Sequence, residues 1–323
     1  MKFPRRAGIP ASARRRYGAR THITRGPAST MTLTSPSVAL PPGACDSHTH
    51  VFLDPHDYPW AEVRRYTPPP ASIAQLIELH DALGIDRVVI VQPSVYGADN
   101  AATLHGLRVL GPGRARGVAV IDENVTDSEL DAMHTLGVRG VRVNLEIDQA
   151  SNADTATAQL RATAARVARL GWHVQIYANL PLLAACAPVL SALPVPVVLD
   201  HYAGATARGG LQQPGLQDVL ALVAEGNAYV KLSAPYRLSQ APGYSDMEPL
   251  ACEFIRTRAD RMVWGSDWPH PQPGVRADPR DISPPFDVDS AAVLDALRRW
   301  AGDAATFYRI LVENPAMLYQ FDG

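Results

Sequence analysis

The sequence predicts a single (β/α)8 barrel of the TIM type, an α/β fold, on three observations. After Pro42, short apolar runs alternate with longer segments of helical periodicity. Eight such runs follow one another, the number that closes a parallel barrel of this kind. Polar side chains gather at the carboxyl ends of these runs, where the open face of a barrel lies. The eight predicted strands are 44–52, 87–93, 116–121, 140–145, 173–178, 196–202, 228–234 and 262–268.

The predicted strands are apolar over most of their length, as expected for strands that are buried on both faces of a parallel sheet. The segments between them have helix signals at their ends. An apolar stripe covers 73–83 and ends at Gly84, while Thr126 and Glu129 have the spacing of a capping box. Asn314 suits the N-cap of a last helix.

The composition is that of a globular protein with a net charge close to zero. Of 323 residues, 46% are hydrophobic and 19% are charged, and the net charge is −2. This balance favours a small-molecule ligand over a nucleic-acid or membrane partner, and it leaves homo-oligomer formation open. The cysteines, Cys45, Cys186 and Cys252, lack CxxC spacing, so we expect a reduced cytoplasmic protein.

The amino-terminal 30 residues differ from the rest of the chain. They contain eight Lys or Arg residues and no acid, with almost no apolar periodicity. We therefore expect a disordered, Arg-rich extension over 1–40 and the barrel over 41–323. An Arg-rich start can resemble an organelle-targeting peptide, but Met31 begins a segment that reads as a natural start.

The polar residues at the strand ends predict one reaction centre, because the carboxyl ends of barrel strands meet at one face. In chain order they are His48, His50, Ser94, Tyr96, Arg142, Asn144, Tyr177, Asp200, His201, Lys231, Ser233 and Asp267. In DSHTH, one residue separates His48 from His50, so on a strand both rings point to the same side. Such a pair can converge on a metal ion or on a carbonyl oxygen.

Three motifs lie at strand ends: DSHTH after the first strand, DHYAG after the sixth and WGSDWPH after the eighth. Through these motifs, residues 44–320 resemble the amidohydrolase superfamily. The resemblance implies that His48, His50 and His201 act at a carbonyl group or a metal ion. It also implies that Asp267 activates water. Burial beside Trp264 and Trp268 is expected to raise the pKa of this base.

Within the superfamily the sequence is most similar to the 2-pyrone-4,6-dicarboxylate lactonases and related sugar-lactone enzymes. DSHTHVF, RYTPP, QPSVYGADN, GVRVN and GSDWPH carry this similarity. It implies a substrate site formed by Tyr66, Ser94, Tyr96, Asn100, Arg142, Tyr177 and Arg237, with the arginines binding carboxylate. It predicts hydrolysis of a carboxylate-bearing lactone. Three alternatives stay open: a lactone isomerase, a metal-dependent decarboxylase, and a barrel that binds without catalysis.

Two departures from the family pattern bear on metal and substrate. Asn144 and Tyr177 occupy the places where metal-dependent relatives have ligands, and His173 lies four residues too early on its strand, so it is expected to be a packed histidine. We expect no cofactor, although His48, His50, His201 and Asp267 could hold a single divalent metal ion. Arg208 is displaced from the family position and NLEID follows the fourth strand, which leaves the identity of the lactone open.

Overall fold

The computed structural model describes residues 34–145 and 152–321. Eight parallel strands form one sheet in the order β1 to β8, with helices between successive strands, so the predicted (β/α)8 barrel is confirmed. The strands are β1 (Cys45–Thr49), β2 (Arg87–Val91), β3 (Ala115–Ala119), β4 (Val138–Asn144), β5 (His173–Tyr177), β6 (Val197–Leu199), β7 (Ala228–Ser233) and β8 (Met262–Gly265).

The helices have most of the end signals that the sequence predicts. Gly84 ends the first helix in the left-handed region, and Thr126 and Glu129 form the expected capping box. The helices are α1 (Ile73–Leu83), α2 (Ala101–Leu110), α3 (Asp127–Thr135), α4 (Ala153–Val167), α5 (Leu180–Ser191), α6 (Leu216–Glu225), α7 (Glu248–Arg258), α8 (Ser290–Ala301), α9 (Ala304–Tyr308) and α10 (Asn314–Tyr319).

Asn314 does not cap the last helix, so that prediction is wrong. The chain is already helical before it, because a π-helical turn at Arg309–Glu313 joins α9 to α10. The Asn314 amide instead donates to the carbonyl oxygens of Ala259 and Met262, at 2.8 and 2.7 Å. It therefore ties the C-terminal helices to the start of β8.

The barrel closes between β1 and β8 at the predicted catalytic residues. The amide of Asp267 donates to the carbonyl oxygen of His48, and the amide of His50 donates to that of Trp268, both at 2.8 Å. Closing the sheet therefore places the residues after β8 beside the end of β1.

The opposite end of the barrel is filled by the C-terminal segment. Tyr319 and Phe321 pack with the inward-facing side chains Cys45, Val89, Val118, Val198 and Val263. His173 belongs to this packed region, since its ring lies 5.2 Å from that of Tyr319 and a Cβ at Gly140 would lie 2.3 Å from it. Only glycine at position 140 leaves room for this imidazole.

Residues 1–33 lie outside the described residues, so the disordered extension and its boundary stay predictions. Within 34–40, Ser37 binds Asp295 of α8. In the described part of the chain, no helix is long and apolar enough to cross a membrane.

Candidate active site

A pocket opens at the carboxyl ends of the strands, where the sequence places the reaction centre. Five of the seven predicted substrate-binding residues and three of the four predicted catalytic residues line it. Its walls are formed by His50, Arg65, Tyr66, Pro93, Ser94, Arg142, Asn144, Tyr177, His201, Arg237, Asp267, Pro271 and Pro273. His48 lies directly beneath this wall, with its ring 5.0 Å from that of His50 and 4.7 Å from that of His201.

His48 and His50 both face Asp267, although β1 is not a regular strand between them. The register of β1 against β2 shifts between Asp46 and Thr49, which indicates a bulge. His48 Nε2 lies 3.7 Å and His50 Nε2 lies 3.4 Å from Asp267 Oδ1. Nε2 of His48 is buried and has no hydrogen-bond partner among the described residues.

The opposite ring nitrogens of His50 and His201 are held by their surroundings. His50 Nδ1 lies 2.8 Å from the carbonyl oxygen of Val91, and His201 Nδ1 lies 2.8 Å from Ser233 Oγ. Burial lowers the pKa of His201 to about 4, so its ring is neutral at pH 7. His201 and Asp267 adopt left-handed φ values of 48° and 60°, an uncommon backbone conformation that is often found at functional sites.

Asp267 accepts hydrogen bonds from two side chains of the loop after β7. Tyr236 donates its hydroxyl to Asp267 Oδ2 at 2.6 Å, and Arg237 Nε donates to the same oxygen at 3.1 Å. Burial raises the pKa of Asp267, but the charge of Arg237, followed by the contacts with the neighbouring histidines, outweighs burial and holds this pKa well below its usual value. The predicted increase in pKa is therefore wrong, because the nearby positive charge dominates.

A second carboxylate, Asp200, lies at the centre of a buried network beneath the pocket. Its Oδ2 atom accepts from Arg142 Nε and Nη2, at 3.2 and 3.1 Å, and from Gln175 Nε2 at 3.1 Å. Its Oδ1 atom lies 3.3 Å from His48 Nδ1 and 3.8 Å from Lys231 Nζ. From the sequence, Asp200 and Lys231 are identified only as polar residues at strand ends, although a charged residue inside a buried apolar strand is a signal for such a network.

The predicted substrate-binding residues fall into two groups. Tyr66, Ser94, Arg142, Tyr177 and Arg237 line the pocket. Ser94 hydrogen-bonds Tyr66, whose pKa burial raises to about 12, so the Tyr66 hydroxyl keeps its proton.

Tyr96 and Asn100 do not line the pocket. The Tyr96 hydroxyl accepts from the amide of Leu53, and its ring packs on Trp60. The Asn100 side chain donates to the carbonyl oxygens of Ala98 and Val120 and accepts from the amide of Val120. Both side chains hold the loop that presents Ser94.

Two groups of potential metal ligands lie within the described residues: His48, His50 and Asp267, and His48, Asp200 and His201. Lys231 Nζ lies 3.3 Å from His48 Nδ1, and Arg237 Nε lies 3.1 Å from Asp267. Both groups therefore have a fixed positive charge against one of their members, which opposes a second cation at short range.

Comparison with known proteins identifies the family of this chain. The family model described as Amidohydrolase matches residues 45–321. The chain belongs to this family. It is 36% identical over 296 residues to the 2-pyrone-4,6-dicarboxylate hydrolase of Comamonas testosteroni, an alignment that covers 88% of this chain and 93% of the relative.

Two further relatives of this amidohydrolase are informative. The 4-sulfomuconolactone hydrolase of Hydrogenophaga intermedia is 32% identical over 285 residues, which is 87% of this chain and 89% of the relative. A crystal structure from Pseudomonas putida, assigned to the 2-pyrone-4,6-dicarboxylic acid hydrolases, superimposes with a TM-score of 0.74 at 31% identity. That comparison covers 88% of this chain and 100% of the other.

Proposed function

We propose that this amidohydrolase hydrolyses a lactone that carries at least one carboxylate, and that it does so without a metal ion. The observation that carries the proposal is that the carboxylate of Asp267 and the guanidinium groups of Arg142 and Arg237 line one pocket. Nε2 of His48 lies beneath the wall of this pocket, 3.7 Å from Asp267 Oδ1. The names of the relatives, which are lactone hydrolases, support the same reaction class.

The arginines orient the substrate through its carboxylate. Arg142 and Arg237 are already held in place by Asp200 and Asp267, so little side-chain freedom is lost when an anion binds. Ser94, Tyr66 and Tyr177 supply polar contacts on the same wall. The lactone carbonyl then faces His48 and His201.

In the reaction step, a water molecule attacks the lactone carbonyl carbon while Asp267 accepts one of its protons. His48 and His201 donate hydrogen bonds from Nε2 to the carbonyl oxygen as it becomes negatively charged. The bond between the carbonyl carbon and the ring oxygen then breaks. Asp267 returns its proton to the leaving ring oxygen, which yields one new carboxyl group and one hydroxyl group.

The low pKa of Asp267 fits a base that the substrate itself activates. While Arg237 donates to Asp267, the carboxylate is stabilised and accepts a proton poorly. When a substrate carboxylate binds Arg237, this arginine stabilises the carboxylate of Asp267 less. The pKa of Asp267 then rises towards the value that catalysis requires. The base is therefore strongest when the substrate is in place.

A hydrolysis screen with 2-pyrone-4,6-dicarboxylate, muconolactones and sugar-acid lactones tests the proposal. Each lactone is incubated with chelator-treated and with zinc-supplemented enzyme in water enriched in oxygen-18. We expect ring opening with one solvent oxygen in the product, at the same rate in both preparations. Absence of turnover on all three classes would contradict the proposal.

The same screen separates the three alternatives. A lactone isomerase returns a lactone without solvent oxygen, because a substrate hydroxyl is the nucleophile. A metal-dependent decarboxylase releases carbon dioxide and loses activity on chelation. A barrel that only binds shows saturable binding of a lactone without product.

A further inference from the structure

Lys231 of β7 is fully buried and takes no part in the reaction described above. Its Nζ donates to the carbonyl oxygen of Ser47 at 2.8 Å and to Gln175 Oε1 at 2.7 Å. The third neighbour of Nζ is His48 Nδ1 at 3.3 Å. An ammonium group has three donors and no acceptor, so each N–H has one acceptor here. One of these acceptors is the imidazole of His48.

This contact determines which nitrogen of His48 carries the proton. The ring of His48 is fully buried and an ammonium group lies 3.3 Å from its Nδ1, an arrangement that opposes a positive charge on the ring. A neutral imidazole has one N–H and one lone pair. Because Nδ1 faces an ammonium group, it must present the lone pair, and the proton resides on Nε2.

Asp200 is the group that would favour the opposite tautomer. Its Oδ1 atom lies 3.3 Å from His48 Nδ1 and could accept a hydrogen bond from a protonated Nδ1. Within the part of the chain that the structure describes, this oxygen has no hydrogen-bond partner, whereas the contact of Lys231 with Nδ1 has hydrogen-bond geometry. The Oδ2 atom of Asp200 is occupied by Arg142 and Gln175. The arrangement therefore favours the lysine over the aspartate as the partner of His48.

We infer that Lys231 is a positioning residue that fixes His48 as the Nε2–H tautomer, which donates to a substrate carbonyl and does not bind a divalent metal ion. A histidine ligates a metal through a lone pair, commonly while its other nitrogen donates to a carboxylate or carbonyl group. Removing Lys231 would give His48 that arrangement, with Asp200 as acceptor. The catalytic part of this inference rests on the proposed function, whereas the tautomer and the metal preference do not.

The test compares the wild-type enzyme with Lys231→Met by nitrogen-15 NMR of labelled histidines, with the His48 signals assigned by their loss in His48→Ala. We expect the Nε2–H pattern in the wild type and the Nδ1–H pattern in Lys231→Met. Zinc affinity, measured by calorimetry, should rise at least about tenfold in Lys231→Met and return to the wild-type value in Lys231→Met/His48→Ala. With 2-pyrone-4,6-dicarboxylate, kcat should fall about 10²- to 10³-fold while KM changes little, as for the loss of one oxyanion donor.

An Nδ1–H pattern in the wild-type spectrum overturns the inference, whether or not the variant folds. A folded Lys231→Met protein with unchanged tautomer and unchanged zinc affinity also overturns it, because a merely structural lysine would lower only the thermal midpoint. If the wild-type enzyme hydrolyses none of the lactones, the proposed function fails, and the NMR and zinc measurements still decide the role of Lys231.

Discussion

The backbone amide of Asp267 donates to the carbonyl oxygen of His48 at 2.8 Å, and this hydrogen bond helps to close the barrel. The proposed base and one of the proposed carbonyl-polarising groups are therefore held together by the fold itself. Their side chains approach to 3.7 Å between Nε2 and Oδ1. A change in the packing of β8 against β1 should consequently affect catalysis as well as stability.

Gly265→Ala tests this coupling. A Cβ at position 265 would lie 2.5 Å from the Cβ of His48 and 2.7 Å from its backbone nitrogen, so β1 or β8 must move. We expect the free energy of unfolding to fall by about 1–3 kcal/mol and kcat to fall more than tenfold. Gly113→Ala is the matched control, because none of the described residues would lie within 4 Å of a Cβ there. Wild-type kcat in Gly265→Ala would show that His48 does not depend on this close approach.

Asp267→Asn should reduce turnover strongly without weakening substrate binding. The amide keeps an oxygen for Tyr236 and Arg237 but cannot accept the proton of water. We expect kcat to fall about 10²- to 10⁴-fold, the usual contribution of a general base. Calorimetry of the lactone with this variant measures binding in the absence of reaction. Turnover close to the wild-type rate would mean that another group activates water.

The fold and the centre of the site could be predicted from sequence because both follow from local patterns. Uninterrupted apolar runs indicate buried parallel strands, and polar residues at their ends meet at one face. His48, His50, His201 and Asp267 come together for this reason. Their catalytic roles are still a proposal.

The surrounding network could not be predicted in the same way, because it depends on which side chains meet across the barrel. Asp200 interacts with Arg142 of β4, Gln175 of β5 and Lys231 of β7, which are distant in the sequence. The low pKa of Asp267 likewise depends on the position of Arg237, which lies in a loop after another strand. In QPSVYGADN, the motif alone does not indicate which side chains turn towards the pocket.

Ser94→Ala and Asn100→Ala distinguish the two kinds of residue in that motif. Ser94 lines the pocket, so its loss should raise KM about tenfold and leave the thermal midpoint close to that of the wild type. Asn100 makes three hydrogen bonds with the backbone, and its loss should cost about 1–3 kcal/mol of stability. Steady-state kinetics and urea unfolding of both variants provide the comparison. A larger rise in KM for Asn100→Ala than for Ser94→Ala, without loss of stability, would place Asn100 in direct contact with the substrate.

Acidification should destabilise the protein before its buried carboxylates begin to titrate. Burial lowers the pKa of His173 to about 3 and those of His201 and His270 to about 4. An unfolded histidine titrates near pH 6.5, so below this pH the unfolded chain binds protons that the folded protein does not. Each of these histidines should reduce the free energy of unfolding by about 2 kcal/mol between pH 7 and pH 5.

The carboxylates act in a different pH range. The pKa values of Asp200 and Asp267 are lowered in the folded protein, so the stability that they contribute is present above about pH 4 and is lost only below it. Urea unfolding at pH 7 and pH 5 therefore measures the contribution of the histidines to the pH dependence of stability. In His173→Phe, the free energy of unfolding should fall by about 2 kcal/mol less between pH 7 and pH 5 than in the wild type. His56→Gln is the control, because His56 is exposed and its hydrogen bond with Asp57 raises its pKa. An equal loss in His173→Phe and in the wild type would show that His173 is protonated in the folded protein.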